Sequence, residues 1–273
     1  MKKFFFAIAI FIFLAISASC VKASAPIRIL LVPGHDNAVW GAEYGNLKEA
    51  AMNLALASRI YDILKKDKRF EVYITRDKNG YTKEFVDYFA NNQADVLAFK
   101  DDAKKKMQKE ITDGTFVKKT NAPHNSVSED VAIRLYGFNK WADENKIDAM
   151  IHVHFNDRPR PNVWTKGKEK GFVIYMPDSQ FANSAKSVDL AKSVFAELHK
   201  KYITSTYEKE KGGLISDQKL IALGANGTLL SSVRSILIEY GYIYSLGNST
   251  ARQKKYDDMA KLTVVGIQNY FFK

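Results

Sequence analysis

Ile27-Arg28-Ile29-Leu30-Leu31-Val32-Pro33-Gly34-His35 is an apolar run stopped by a chain-turning pair, with a histidine set directly behind it. A short apolar run bounded by Pro-Gly reads as a buried strand over residues 27–32. Residues 47–66 then read as a helix, because Met52, Leu56, Ile60, Ile63 and Leu64 recur at helical spacing with lysines on the other side. Residues 70–75 alternate like a second strand. The same succession continues down the chain: helix 131–145, strand 149–154, strand 171–176, helix 184–200, strand 235–239 and a closing helix 256–272. Strands alternating with helices predict an α/β single domain, a central twisted, mostly parallel or mixed sheet with helices on both faces. No internal repeat or low-complexity tract interrupts the pattern.

Upstream of the first strand the chain changes character. Lys2 and Lys3 precede an almost unbroken apolar run over residues 4–16, followed by small residues and by Cys20, the only cysteine. That is the layout of a secretory signal, and the run is short of the ~20 residues a membrane span needs. Residues 1–25 are therefore read as a signal peptide and residues 26–273 as the exported domain. Two processing routes fit. Cleavage near Ala23 or Ala25 releases the domain, whereas a lipoprotein signal ending before Cys20 anchors it through that residue, although Ser17 stands where such signals carry Leu, Val or Ile. The domain itself has no cysteine pair, so no disulfide supports it.

The formal net charge is +11, and loss of Lys2, Lys3 and Lys22 with the leader leaves about +8. An exported basic protein is drawn to anionic surfaces such as wall polymers or lipid head groups. Nucleic acid is excluded as a partner, because the chain is exported and has no basic motif interleaved with aromatic residues. A segment of different texture, residues 78–130, follows the second strand. It is moderately apolar over 85–99 and dense in charge over 100–110, and it reads as one or two inserted helices. Inserts of this length are often lids or regulators.

In open α/β sheets ligands bind beyond the carboxyl ends of the strands. His35, His154 and Glu239 all fall at or just past such ends, and Glu49 lies in the helix after the first strand. Two imidazoles and a carboxylate make a zinc-type donor set with a fourth position open. Each residue also has a plainer reading. His35 could be a turn residue, with Gly34 supplying the turn, and Asn46 with Glu49 could form a capping box. His152 and His154 share one side of their strand, so only one need be a ligand. Glu239 could be a buried partner of Arg134 or Arg234.

The ordered set Val32-Pro33-Gly34-His35-Asp36, Glu49 before Asn53-Leu54, Thr75-Arg76-Asp77, His152-Val153-His154-Phe155-Asn156 and Ile238-Glu239-Tyr240-Gly241-Tyr242 resembles the zinc-dependent N-acetylmuramoyl-L-alanine amidases of the amidase type 3 family. The likeness runs in order through nearly all of the exported part. It implies that His35, Glu49 and His154 hold one zinc ion, that Glu239 is the catalytic carboxylate, and that the substrate is peptidoglycan. The departures are Val32 for an aspartate, Asp36-Asn37 for a glycine pair, and Phe155 for an alanine. They fall beside ligand positions and bear on substrate fit. Asp36 is a candidate hydrogen-bond partner for a ligand imidazole.

In related amidases an inserted helix can place a carboxylate over the zinc. The resemblance therefore makes the acidic residues between Glu84 and Glu110 candidates for such a cover, and an activator protein a candidate partner acting on the insertion. His124 reads as solvated. Two other readings compete: a zinc carboxypeptidase-like enzyme acting on wall peptides, and a catalytically inactive wall-binding protein.

Overall fold

The computed structural model describes residues 25–119, 128–218 and 227–273. The leader, with Cys20, and His124 lie outside the described residues. In chain order the elements are β1 (Ile27–Pro33), β2 (Glu43–Tyr44), β3 (Leu47–Lys48), α1 (Glu49–Leu64), β4 (Phe70–Ile74), β5 (Arg76–Asp77), β6 (Gly80–Tyr81), α2 (Lys83–Thr112) and α3 (Glu129–Glu144). There follow β7 (Ala149–Asn156), β8 (Val173–Pro177), α4 (Ser184–His199), a 3-10 turn (Glu208–Glu210), β9 (Leu214–Asp217), β10 (Arg234–Tyr242) and α5 (Ser249–Phe272).

Six strands form one sheet in the order β4-β1-β7-β10-β8-β9. The β1/β4, β1/β7, β7/β10 and β8/β9 pairs are parallel, and β10/β8 is antiparallel. The sheet is thus mixed and mostly parallel, as its α/β succession of elements requires. Alternation along each strand sorts side chains to two faces. Ile29, Leu31, Ile151, Val153, Ile236 and Ile238 pack with Leu56 and Ile60 of α1, Val194 of α4 and Ile267 of α5. Leu30, Val32 and Met150 on the other face pack with Phe85 of α2 and with Phe138 and Trp141 of α3.

Three elements differ from the sequence reading. Of the one or two helices read in the insertion, its described residues show one 30-residue helix, α2, and what the sequence did not announce is its bend at Asn92, whose φ of −123° leaves the helical region. The Asn92 Nδ2 donates to the Tyr88 carbonyl at 2.9 Å, a local bond that competes with the helical ladder. The closing helix begins at Ser249 because Asn248 caps it, accepting from the Ala251 N–H at 3.0 Å. Finally, β9 was not anticipated, since four residues carry too little alternation to read as a strand. Among the described residues no helix is long and apolar enough to cross a membrane.

Candidate metal centre

The centre stands at the carboxyl ends of β1, β7 and β10. Helix α1 closes it from the side and presents Glu49 in its first turn. The capping reading of Glu49 fails: the cap position is Lys48, which makes no side-chain cap bond, and the Glu49 carboxylate turns to the histidines instead. Its Oε2 lies 3.2 Å from His35 Nε2 and its Oε1 3.0 Å from His154 Nδ1. The two imidazoles meet edge to face with centroids 5.2 Å apart. One ligand atom from each of His35, Glu49 and His154 lies within 4.8 Å of the others, the span of a single metal site. Two nitrogen donors and one carboxylate oxygen suit a divalent cation with an open position.

The backbone makes this convergence possible at two glycines. Residue 34 was expected to supply the turn, but the left-handed residue is His35, with a φ of 59°. Gly34 is needed for space: a Cβ there would come within 2.1 Å of the His154 Cε1 and Nε2. Gly41, itself left-handed at φ +75°, lies against Glu49 Oε2 and His35 Cδ2, each 2.5 Å from where its Cβ would stand. The loop is pinned from below by two residues whose types the sequence displayed without a role. Asn53 Nδ2 donates to the Gly34 carbonyl (3.0 Å) and to Glu49 Oε1 (3.2 Å). Arg76 Nη2 donates to the carbonyls of Gly34 (3.0 Å) and Ala50 (2.7 Å), tying β1 to α1.

Glu239 is buried, and in the parallel β10/β7 pair it is the register partner of His154. Its Oε2 has no hydrogen-bond partner, and it forms no ion pair among the described residues. Arg134 instead faces Asp36 at 3.6 Å and Arg234 faces Asp148 at 4.0 Å, so neither plays the part considered for it. Burial, then the negative charges of Glu49 and Glu210, push the Glu239 pKa well above the usual carboxylate range, and Arg158 opposes them. Burial also works against a charged Glu49, but hydrogen bonds with His154 and His35 outweigh it and hold that carboxyl far below its ordinary value. Two carboxylates in one site thus have opposite proton affinities, a separation typical of functional sites.

The remaining sequence candidates sort by face. His152 is buried beneath the centre with both ring nitrogens unpartnered, and it is not in the three-residue cluster. Phe155 points to the opposite face and packs with Tyr240 and Tyr256, so its bulk does not enter the site. Asp36 accepts from the N–H groups of Ala38 (2.9 Å) and Val39 (2.8 Å) and from the Tyr81 hydroxyl (2.9 Å). It fixes the turn after His35 and hydrogen-bonds no imidazole. No acidic residue of α2 belongs to the cluster.

Residues 29–269 match the N-acetylmuramoyl-L-alanine amidase family, Amidase_3. The chain belongs to this family. Solved structures with the same fold include an N-acetylmuramoyl-L-alanine amidase from Clostridium difficile 630, 17% identical, with 90% of this chain and 97% of that one aligned at a TM-score of 0.55. The CwlD amidase of Clostridioides difficile, solved in complex with the GerS lipoprotein, is 17% identical over 89% of this chain and 98% of its own, at 0.56. AmiC2 of Nostoc punctiforme is 19% identical over 90% and 98%, at 0.53. None of the curated proteins matches the sequence. The amidase is a hydrolase of the cell-wall class, and its family membership implies peptidoglycan as substrate and action outside the cytoplasm. Its His35-Glu49-His154 cluster is the part that could bind a metal.

Proposed function

We propose that the amidase binds one zinc ion through His35, Glu49 and His154 and uses Glu239 as its general acid–base in cutting the bond between N-acetylmuramic acid and L-alanine. The observation that carries this is the meeting of three donors within 4.8 Å beside a fourth, buried carboxylate in register with His154. A zinc ion supplies a Lewis acid and makes water acidic enough to attack an amide near neutral pH. Glu239 takes a proton from the attacking water on its unpartnered Oε2 and returns it to the leaving amine of the alanine. Glu49, held ionised by the two histidines, stays a donor throughout.

The finer calls about place and partners belong to the same reading. The chain is exported, to the periplasm, cell wall or medium, with Cys20 as the site of any lipid anchor, and the basic surface holds it near anionic wall polymers or lipid head groups. Residues 78–130 are the part on which an activator protein acts. α2 packs along α3, and four of its acidic residues, Asp87, Asp101, Asp102 and Glu110, pair with lysines of the same helix. Purified protein incubated with isolated wall tests the main claim: one zinc per chain and new N-terminal alanine on stem peptides are expected. Release of a C-terminal amino acid would sink it in favour of a carboxypeptidase, and a metal-free, inert protein in favour of a wall-binding one.

A further inference from the structure

Two arginines follow β7, and they are used differently. Arg160 is spent on the protein: Nε and Nη2 donate to the two oxygens of Asp157 (2.9 and 2.8 Å), Nη2 also donates to the Glu43 carbonyl (2.5 Å), and Nη1 donates to the Asn162, Val163 and Thr165 carbonyls (3.3, 3.2 and 3.0 Å). Arg158 is held at one edge only. Its Nη2 donates to Glu210, and among the described residues its Nη1 makes no hydrogen bond and its buried Nε has no partner. A guanidinium carries five N–H donors in a fixed fork, so most of this one is unused.

The held edge is rigid. Glu210 is fully buried and accepts from Asn156 Nδ2 (2.8 Å) and from the hydroxyls of Tyr175 (2.8 Å), Ser205 (2.5 Å) and Tyr242 (2.9 Å). The guanidinium carbon of Arg158 lies 3.9 Å from the centroid of the Tyr207 ring. Six residues from four separate stretches of chain thus fix one arginine, whose side chain is 24% exposed. It borders a groove of about 510 Å³ whose lining also includes Trp40, Gly41, Glu43, Asp157 and Asn162. Gly41 is the residue that touches both His35 and Glu49, so the groove leads away from the candidate metal centre.

We propose that Arg158 receives the free α-carboxylate of the second stem-peptide residue, directly behind the scissile amide, and so selects acidic over amidated peptides. The inference rests on the amidase reading for its substrate. Nε is buried and out of a ligand's reach, but the outer end of the guanidinium, Nη1 and the second hydrogen of Nη2, matches a carboxylate's two oxygens, whereas a carboxamide offers one acceptor and a competing donor. Glu210 already balances the arginine's charge, so selectivity comes from the donors, and its scale is that of one charge-assisted hydrogen bond, about tenfold or more. Arg160 cannot do this, having no donor edge left.

The test uses the zinc-loaded full domain and a matched pair of N-acetylmuramoyl-L-alanyl peptides, with the second residue's α-carboxylate free in one and amidated in the other. Wild type is expected to favour the acid about tenfold in kcat/KM, mainly through KM. R158K, which keeps a charge against Glu210 but not the fork, should shrink that ratio. R158Q strands a buried carboxylate, so R158Q/E210Q, which leaves a neutral contact, serves as the second variant and should bring the ratio to about one. Equal use of both substrates by wild type, or a preference that survives in R158Q/E210Q, would overturn the inference. Calorimetric titration of the two free peptides separates this from the parent reading. Tighter binding of the acid peptide without cleavage of the amide keeps Arg158's role and removes the amidase mechanism, while equal binding removes Arg158's role alone.

Discussion

Glu239 stands opposite His154 in the register of two parallel strands, so a carboxylate from β10 and an imidazole from β7 lie on the same face of the sheet at the same height. The pairing brings Glu239 to the metal centre without making it a member of the cluster. Replacing it with Gln keeps the shape and removes the proton carrier. E239Q should retain one zinc per chain and lose about 10²–10⁴-fold in hydrolysis of isolated wall. A variant that solubilises wall at the parent rate would refute the assignment.

In the proposed zinc site His35 and Glu49 are donors, so H35A and E49A should lose the metal itself. Elemental analysis after gel filtration is expected to give well under one zinc per chain for each. Retention of stoichiometric zinc by either would remove that residue from the ligand set.

Gly34 touches the His154 ring through its missing side chain. G34A forces a methyl group to within 2.1 Å of that imidazole, which must shift. Zinc affinity is expected to fall about 10–100-fold, the scale of losing a group that orients a ligand, as measured by competition with a chelating dye. An unchanged affinity would mean that the ring has room to move.

Phe155 sits one residue from His154 and faces the other way. F155A should cost about 3–5 kcal/mol of stability, as deleting a buried aromatic ring does, while leaving zinc stoichiometry intact. Urea unfolding alongside metal analysis separates the two effects. Lost zinc at full occupancy of the folded state would place the ring in the site after all.

His152 is kept neutral by burial first and by the charge of His154 second, which push its pKa down to about 3 from 6.5. Below pH 6.5 the unfolded chain takes up a proton that the folded one refuses, so this residue's share of stability is complete above 6.5 and is lost as pH falls toward 3. The slope is about 1.4 kcal/mol per pH unit. In chelator, H152L should show a shallower decline between pH 6 and pH 4 than wild type. It should also be at least as stable at pH 7, since it removes two unpartnered buried nitrogens. Parallel profiles would show that His152 titrates normally.

Much of the fold was legible locally. The strands read over residues 27–32, 149–154 and 235–239, which run on to Pro33, Asn156 and Tyr242, and the helical stripe from Met52 to Leu64 follow from periods of two and 3.6, which neighbouring residues carry by themselves. Where the reading fell short, a tertiary contact had replaced a local signal. Asn46 and Glu49 have capping-box spacing, yet two histidines from other strands draw the carboxylate away. Gly34 has the look of a turn residue, yet it serves as the floor under an imidazole 120 positions along the chain. Asp36 was offered to a ligand, and the loop's own N–H groups took it.

The order of polar residues at strand ends, the alternation of elements and the likeness of the motifs to one family were properties of the sequence alone. They were enough to name the fold class and to single out His35, Glu49, His154 and Glu239 as candidates for a metal site and its base. The tertiary structure decided which way each side chain points and what it meets. Strand order and register are set by the packing of the whole sheet, and they put His154 beside Glu239, Phe155 in the core and His152 beneath the site. The same packing brought Arg158 to Glu210, 52 positions away, and no local pattern announces a contact whose partners come from separate strands and loops.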